Sequence, residues 1–262
     1  ALFHHLAHPQ LFAARHKIFG LPRHFLSHYP ALLESQYLLA FLAGGGPPLA
    51  KLLHFGYGLL TLAALWSWAR RSLELRWALA ACAGFALLPY VQLVQAWAYV
   101  DFGFAFLFTL AARRLADPAA SPAFLGALCG LCAGTKATGV FAPVLAGAAL
   151  ARRGAAPVPF ALGFLVLAAP WGARNWLVAG NPFAPFLSGW LTTLWWGPGN
   201  QVRYGEELRS YERVPGLAGL LAAPWNGAVR NAGVLDRGGG MGGWFLFALP
   251  LCIGLFYYVV PL

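Results

Sequence analysis

Charge is what this sequence has least of. Asp, Glu, Lys and Arg make up 10% of its 262 residues, against about 25% in an ordinary soluble domain. That scarcity excludes a globular domain that merely has a large core. Acids are the rarer sign, eight in all, and Glu34 is the only one before Glu74. Lysine is rarer still, confined to Lys17, Lys51 and Lys136. There is no internal repeat and no low-complexity tract. There is no basic stripe either: behind the net charge of +10 the cations are spread between apolar blocks, six of the eighteen as the short pairs at 70–71, 113–114 and 152–153. Nucleic acid is therefore excluded as a partner, and the pairs read as topology signals. Cysteine is sparse. Cys82, Cys129, Cys132 and Cys252 all lie in apolar blocks. Cys129 and Cys132 form a C-x-x-C, but no soluble βαβ pattern surrounds it, so they read as small apolar residues of a packed helix.

What is present is hydrophobic, at 60% of residues, and it comes in long blocks. Such blocks predict membrane-spanning helices. Eleven Trp and nine Tyr suit a chain with many membrane–water interfaces. The expected fold is all-α: a polytopic transmembrane helix bundle with juxtamembrane helices and a long outer loop. Residues 1–46 read as part of a first outer loop with juxtamembrane helices. Residues 47–178 read as a core of about six transmembrane helices. Residues 179–242 form the outer loop, and residues 243–262 a final, truncated transmembrane helix. The chain starts without Met, shows no signal peptide and ends inside an apolar run, so it reads as a fragment trimmed at both ends.

Residues 1–28 hold six of the seven His and are broken by Pro9 and Pro22. They predict interfacial amphipathic helices. His4, His5 and His8 fit one helical face, either as metal ligands or as interfacial polar residues. Residues 29–43 are too short to span and predict a helix lying against the bilayer, with Glu34 facing a cavity. Spans are expected at 49–68, 77–97, 102–112, 124–132, 140–150, 158–176 and 244–262. Arg70-Arg71, Arg113-Arg114 and Arg152-Arg153 fall at every second helix end, which assigns those ends to the cytoplasm. The opposite ends carry Asp101, Lys136 and Arg174, which places all three at one outer face.

These isolated charges are the chemical candidates. A carboxylate at the centre of a lipid-embedded helix costs about 3 kcal/mol on insertion scales, less near the interface. Asp101 is therefore either functional or an exposed acid at headgroup level. Lys136 is flanked by Gly134 and Gly139, which let backbone N–H groups approach an anion; alternatively it snorkels to the interface. Gly126, Gly130 and Gly134 also allow close helix packing. Arg174 is the natural fork for phosphate oxygens, with Asn175 and Asn181 as neutral donors, or else an interfacial anchor. Glu34 reads equally as a second carboxylate, binding a divalent metal or supporting a base, and as a wet-face polar residue. Together they suit an anionic lipid substrate whose phosphate departs.

The order of motifs resembles the GT-C superfamily of membrane glycosyltransferases, in the protein O-mannosyltransferase and aminoarabinose-transferase branch. The resemblance covers residues 29–186. It rests on Y-P-x-x-x-E-x-x-Y at 29–37, A-K-L-L-H-F at 50–55, A-Y-V-D at 98–101, G-x-x-x-G-T-K at 130–136, P-W-x-x-R-N at 170–175 and G-N-P-F-x-P-F at 180–186. The run Asp236-Arg-Gly-Gly-Gly is similar to bacterial members. The resemblance implies an inverting transferase of the bacterial inner membrane, multi-pass, with its site facing the periplasm. It implies a polyprenyl-phosphate sugar as donor and a lipid, glycan or protein as acceptor. Many members use a divalent metal, here Mg, Mn or Zn. By position, Asp101 is the acid near the donor phosphate or metal. Lys136 and Arg174, with Asn175, bind the phosphate. Glu34 lies at the cavity rim or near the metal, though its register differs from the aminoarabinose-transferase pattern. The family's catalytic acid sits just after the first span, which this chain lacks. The base is then upstream of residue 1 and the fragment is inactive alone. The rival readings are a secondary transporter or lipid flippase, and a non-catalytic membrane subunit.

Overall fold

The computed structural model of the protein describes residues 5–21, 24–210, 218–219 and 222. Among them the chain is helical, with no strand. The expected final helix at 244–262 and the run Asp236-Arg-Gly-Gly-Gly lie outside the described residues.

The chain opens with α1 (Ala7–Arg15), a single 3₁₀ turn (Phe25–His28) and α2 (Leu32–Leu42), matching the short elements expected there. Two long helices follow at intervals: α3 (Gly46–Ser72) and α9 (Pro157–Ala179). At about 1.5 Å per residue they run roughly 40 and 35 Å. Both are apolar and long enough to cross a membrane, and neither is a buried core helix. Each starts with a proline in its first turn, where the missing N–H costs nothing. α3 ends on Arg70 and Arg71, cations that suit the negative end of a helix. α9 stops at Gly180, whose positive φ of 73° needs a residue without Cβ.

The stretch expected as one span over 77–97 is not one helix. It divides into α4 (Leu75–Ala86) and α5 (Pro89–Val94). Pro89 cannot donate to the preceding turn, and it pushes Leu88 to an extended ψ of 128°. The Gln92 side chain caps the broken end by donating to the Ala86 carbonyl.

The centre is built from α6 (Asp101–Leu115), α7 (Pro122–Thr135) and α8 (Phe141–Arg152). Leu107, Ala111, Leu128, Cys129, Cys132, Ala142 and Ala146 fill the space between them. Both cysteines are fully buried thiols and serve as packing. α7 lies against α9 at backbone contact. A Cβ on Gly126 would sit 2.0 Å from the Phe160 carbonyl oxygen, and one on Gly130 2.6 Å from that of Phe164. The glycine spacing thus serves close packing.

The long loop after α9 is partly helical: α10 (Pro198–Ser210) follows a run of turns over 181–196. Much of the apolar surface stays uncovered. α9 buries Asn175 and Ala179 while Leu162, Val166 and Leu177 stand exposed.

Candidate functional site

The site begins where α7 ends. Lys136 caps that helix in an extended conformation, φ −150° and ψ 144°. A 3₁₀ turn (Ala137–Val140) then leads into α8. The bend depends on Gly139, where any Cβ would fall 2.0 Å from the Cys132 carbonyl oxygen. Being extended, Lys136 projects away from its own helix and reaches α6. Its Nζ donates to Asp101 Oδ1 at 2.9 Å, with the two side chains 40% and 26% exposed. Asp101 is the first residue of α6, so its carboxylate also faces the positive end of that helix. Two of the three charges expected at one face are therefore in contact.

Behind this pair lies a buried polar layer. His54 of α3 is fully buried; its Nε2 accepts the Phe102 amide at 3.2 Å, and its ring stacks on Phe102. It thereby satisfies an N–H that the first turn of α6 leaves without an intrahelical partner. Tyr37 of α2 donates its hydroxyl to the Tyr99 carbonyl. Burial pushes the Tyr37 pKa up, and the nearby carboxylates of Glu34 and Asp101 push it further. The phenol therefore stays protonated and acts as a fixed donor. Glu34, 5% exposed, accepts from His5 Nδ1 at 2.7 Å through Oε1. Its Oε2 is buried with no hydrogen-bond partner among the described residues.

Arg174 and Asn175 are turned elsewhere. Arg174 Nη1 donates to the Ser27 carbonyl at 2.8 Å and to Asn175 Oδ1 at 3.0 Å; Nη2 donates to the Phe19 carbonyl at 3.3 Å. The guanidinium also lies over the Trp171 ring at 4.7 Å. Asn175 Nδ2 donates to the carbonyls of His28 and Ala184, at 2.7 and 3.3 Å. Trp171 Nε1 adds a third donor, to the His28 carbonyl at 3.0 Å. The P-W-x-x-R-N run thus clamps the Phe19, Ser27 and His28 carbonyls onto α9, while Arg174 Nε is buried with no hydrogen-bond partner among the described residues. Asn181 is similarly occupied, holding the Phe186 carbonyl and the Thr193 hydroxyl.

The carboxylates expected as metal ligands each face a nitrogen base instead: Asp101 meets Lys136, and Glu34 meets His5. No three His, Cys, Asp or Glu side chains converge among the described residues. The donor set among the described residues does not fit a metal centre.

Under the clamped segment, His8 Nε2 and His24 Nδ1 lie 3.2 Å apart with perpendicular rings. Burial, and then the charges of His24 and Arg174, lower the His8 pKa from 6.5 to about 4. The sign follows from linkage. Below 6.5 the released segment takes up a proton that docked His8 refuses, so docking weakens as pH falls toward 4. The loss reaches about 3 kcal/mol at most. Hydrogen exchange over residues 5–21 should therefore accelerate between about pH 6.5 and about pH 4, after correction for intrinsic rates. His8→Gln should flatten that dependence; an equal dependence in both proteins sinks the idea.

Three contributors escaped the sequence reading: His54, Tyr37 and the pairing of His5 with Glu34. His54 did carry a signal, as the only histidine outside residues 1–28. No family model, curated protein or solved structure matches this chain.

Proposed function

We propose that this chain is the core of a polytopic membrane glycosyltransferase of GT-C type, taking a sugar from a polyprenyl-phosphate donor at the outer face of a bacterial inner membrane. The membrane part of the reading is supported by α9, which exposes its Leu and Val side chains and buries Asn175. That is the reverse of a helix packed in water. A continuous apolar face of this kind belongs against lipid.

The observation that carries the catalytic part is the Lys136–Asp101 pair at the bend after α7. It combines a half-exposed ammonium, a carboxylate at a helix N-terminus and a buried polar layer behind them. An ammonium is a point charge suited to phosphate. Held by Asp101, it is set in place before the leaving phosphate gains its second negative charge. Stabilisation of that kind lowers the barrier because it is strongest when the charge has formed. Arg174 contributes to the fold, by holding the Ser27 and Phe19 carbonyls against α9.

The test is release of polyprenyl phosphate from radiolabelled polyprenyl-phosphate hexoses and pentoses by the full-length protein in nanodiscs. The wild type should turn over at least one donor. Lys136→Ala should lower kcat by about 10²- to 10³-fold with its helix content unchanged. Full activity in Lys136→Ala overturns the assignment. Movement of intact donor across the bilayer without release assigns a transporter, and neither release nor movement assigns a non-catalytic subunit.

A further inference from the structure

The loop after α9 is built inside out. Its polar side chains point inward. Asn181 is fully buried; its Oδ1 accepts the Phe183 amide at 2.9 Å, and its Nδ2 donates to the Phe186 carbonyl and to Thr193 Oγ1. The Thr193 hydroxyl donates to Ser188 Oγ at 3.0 Å, and Ser188 donates on to the Pro185 carbonyl at 2.6 Å. The apolar side chains point outward. Phe183, Leu187, Trp190, Leu194 and Trp195 are all exposed, Trp190 at 89%.

We infer that residues 183–196 dock into a phospholipid leaflet, seating these side chains at the boundary between headgroups and acyl chains. The inference rests on the membrane part of the reading above and is independent of its chemistry.

Three observations choose a leaflet as the occupant. The first is charge. No Asp, Glu, Lys, Arg or His occurs between Arg174 and Arg203. A protein partner is met by an apolar patch with a polar rim, and this patch has no charged rim for a partner to read. The second is backbone conformation. Leu187 and Trp195 have positive φ, 56° and 68°, a region that bulky residues avoid. In water the loop gains nothing by holding a leucine and a tryptophan there. In a leaflet both add apolar contact, and the buried Asn181–Thr193–Ser188 chain keeps the loop in shape.

The third is continuity. The Leu194 amide donates to the Ala179 carbonyl at 2.7 Å, so the loop folds back on the last turn of α9. Trp176 and Leu177 of that turn are exposed as well. The patch therefore extends the apolar face of α9, and lipid that covers α9 reaches it. Trp190 and Trp195 suit that depth, since an indole has an apolar body and a polar N–H. An uncharged anchor holds lipid by apolar contact alone, so it does not select anionic headgroups.

The experiment places benzoylphenylalanine at Trp190, at Leu194 or, as reference, at the exposed Val166 of α9, one position at a time. The full-length protein is irradiated in nanodiscs and its adducts are read by mass spectrometry. Positions 190 and 194 should each gain one phospholipid, attached near the glycerol end of an acyl chain. Yields in phosphatidylcholine and phosphatidylglycerol should agree within about twofold, whereas capture by a single cation would favour the anionic lipid by roughly fivefold. Both side chains are exposed, and if the probe disturbs the loop at one position the other decides. Lipid adducts at 166 with none at 190 or 194 overturn the inference and leave α9 in the membrane. So do adducts confined to the anionic lipid, or cross-links from both positions to a second copy or to residues 211–262 of the same chain. No lipid adduct at 166 overturns the membrane reading, and the docking with it. Donor release is not read, so a loop that fails leaves the Lys136 test standing.

Discussion

Gly163→Leu should abolish folding, and Gly163→Ala should cost at least about 3 kcal/mol, the upper end for an overpacked site. A Cβ there would lie 2.0 Å from the Ala123 carbonyl oxygen and 2.9 Å from its carbon. The obstacle is backbone, so no rotamer relieves it. Gly126 meets the Phe160 carbonyl in the same way from the other helix. Either substitution must push α7 and α9 apart and open the core that α7 shares with α6 and α8. Lipid offers little compensation, because association there depends on close contact and not on escape from water. Gly84 in α4 is the control, since a Cβ there meets nothing within 4 Å. Gly84→Ala should stabilise the helix by about 0.5–1 kcal/mol. Thermal unfolding followed by circular dichroism separates the two sites. Equal melting temperatures for Gly84→Ala and Gly163→Ala would falsify the close contact.

Arg174→Ala should release Phe19 and Ser27 from α9, at a cost of about 1.5–3 kcal/mol for the lost charge-assisted hydrogen bonds. It removes donors to the Ser27 and Phe19 carbonyls, a bond to Asn175 and the cover over Trp171. Arg174→Lys discriminates between the two roles open to this residue. A phosphate ligand would lose its fork in the lysine variant but keep a point charge on the phosphate. A clamp needs a planar fork that spans two carbonyls and stacks on an indole, which lysine lacks. The lysine variant should therefore behave like the alanine one. Hydrogen exchange at residues 19–28 reads the release directly. Protection retained in Arg174→Lys would return Arg174 to the phosphate.

Charge spacing found Asp101 and Lys136 because isolated charges in an apolar chain are conspicuous, and their contact follows from helix ends meeting at one level. The same logic could not foresee where Arg174 points. Its partners are main-chain carbonyls, which every residue has and no sequence pattern marks. The glycines at 126 and 130 were legible as a packing stripe, but their counterpart Gly163 shares α9 only with the distant Gly172 and gives no periodic signal. Pro89 was visible, yet an apolar run of span length outweighed it. The His5–Glu34 pair joins residues 29 apart, a separation that helical periodicity does not address.

The short central helices also act as a ruler. α6 runs 15 residues from Asp101 to its Arg113-Arg114 end, and α8 runs 12 to Arg152, about 22 and 18 Å. The hydrocarbon layer is about 30 Å thick. On the proposed orientation, with the arginines at the cytoplasmic boundary, Asp101 and the Lys136 ammonium paired with it stop about 8 Å short of the opposite one. If the proposed function holds, either the bilayer thins around this protein or a donor phosphate must descend below the headgroup plane to reach Lys136. The depth itself then becomes a filter: a lipid whose headgroup is too large or too strongly hydrated to sink that far is turned away before any side chain recognises it.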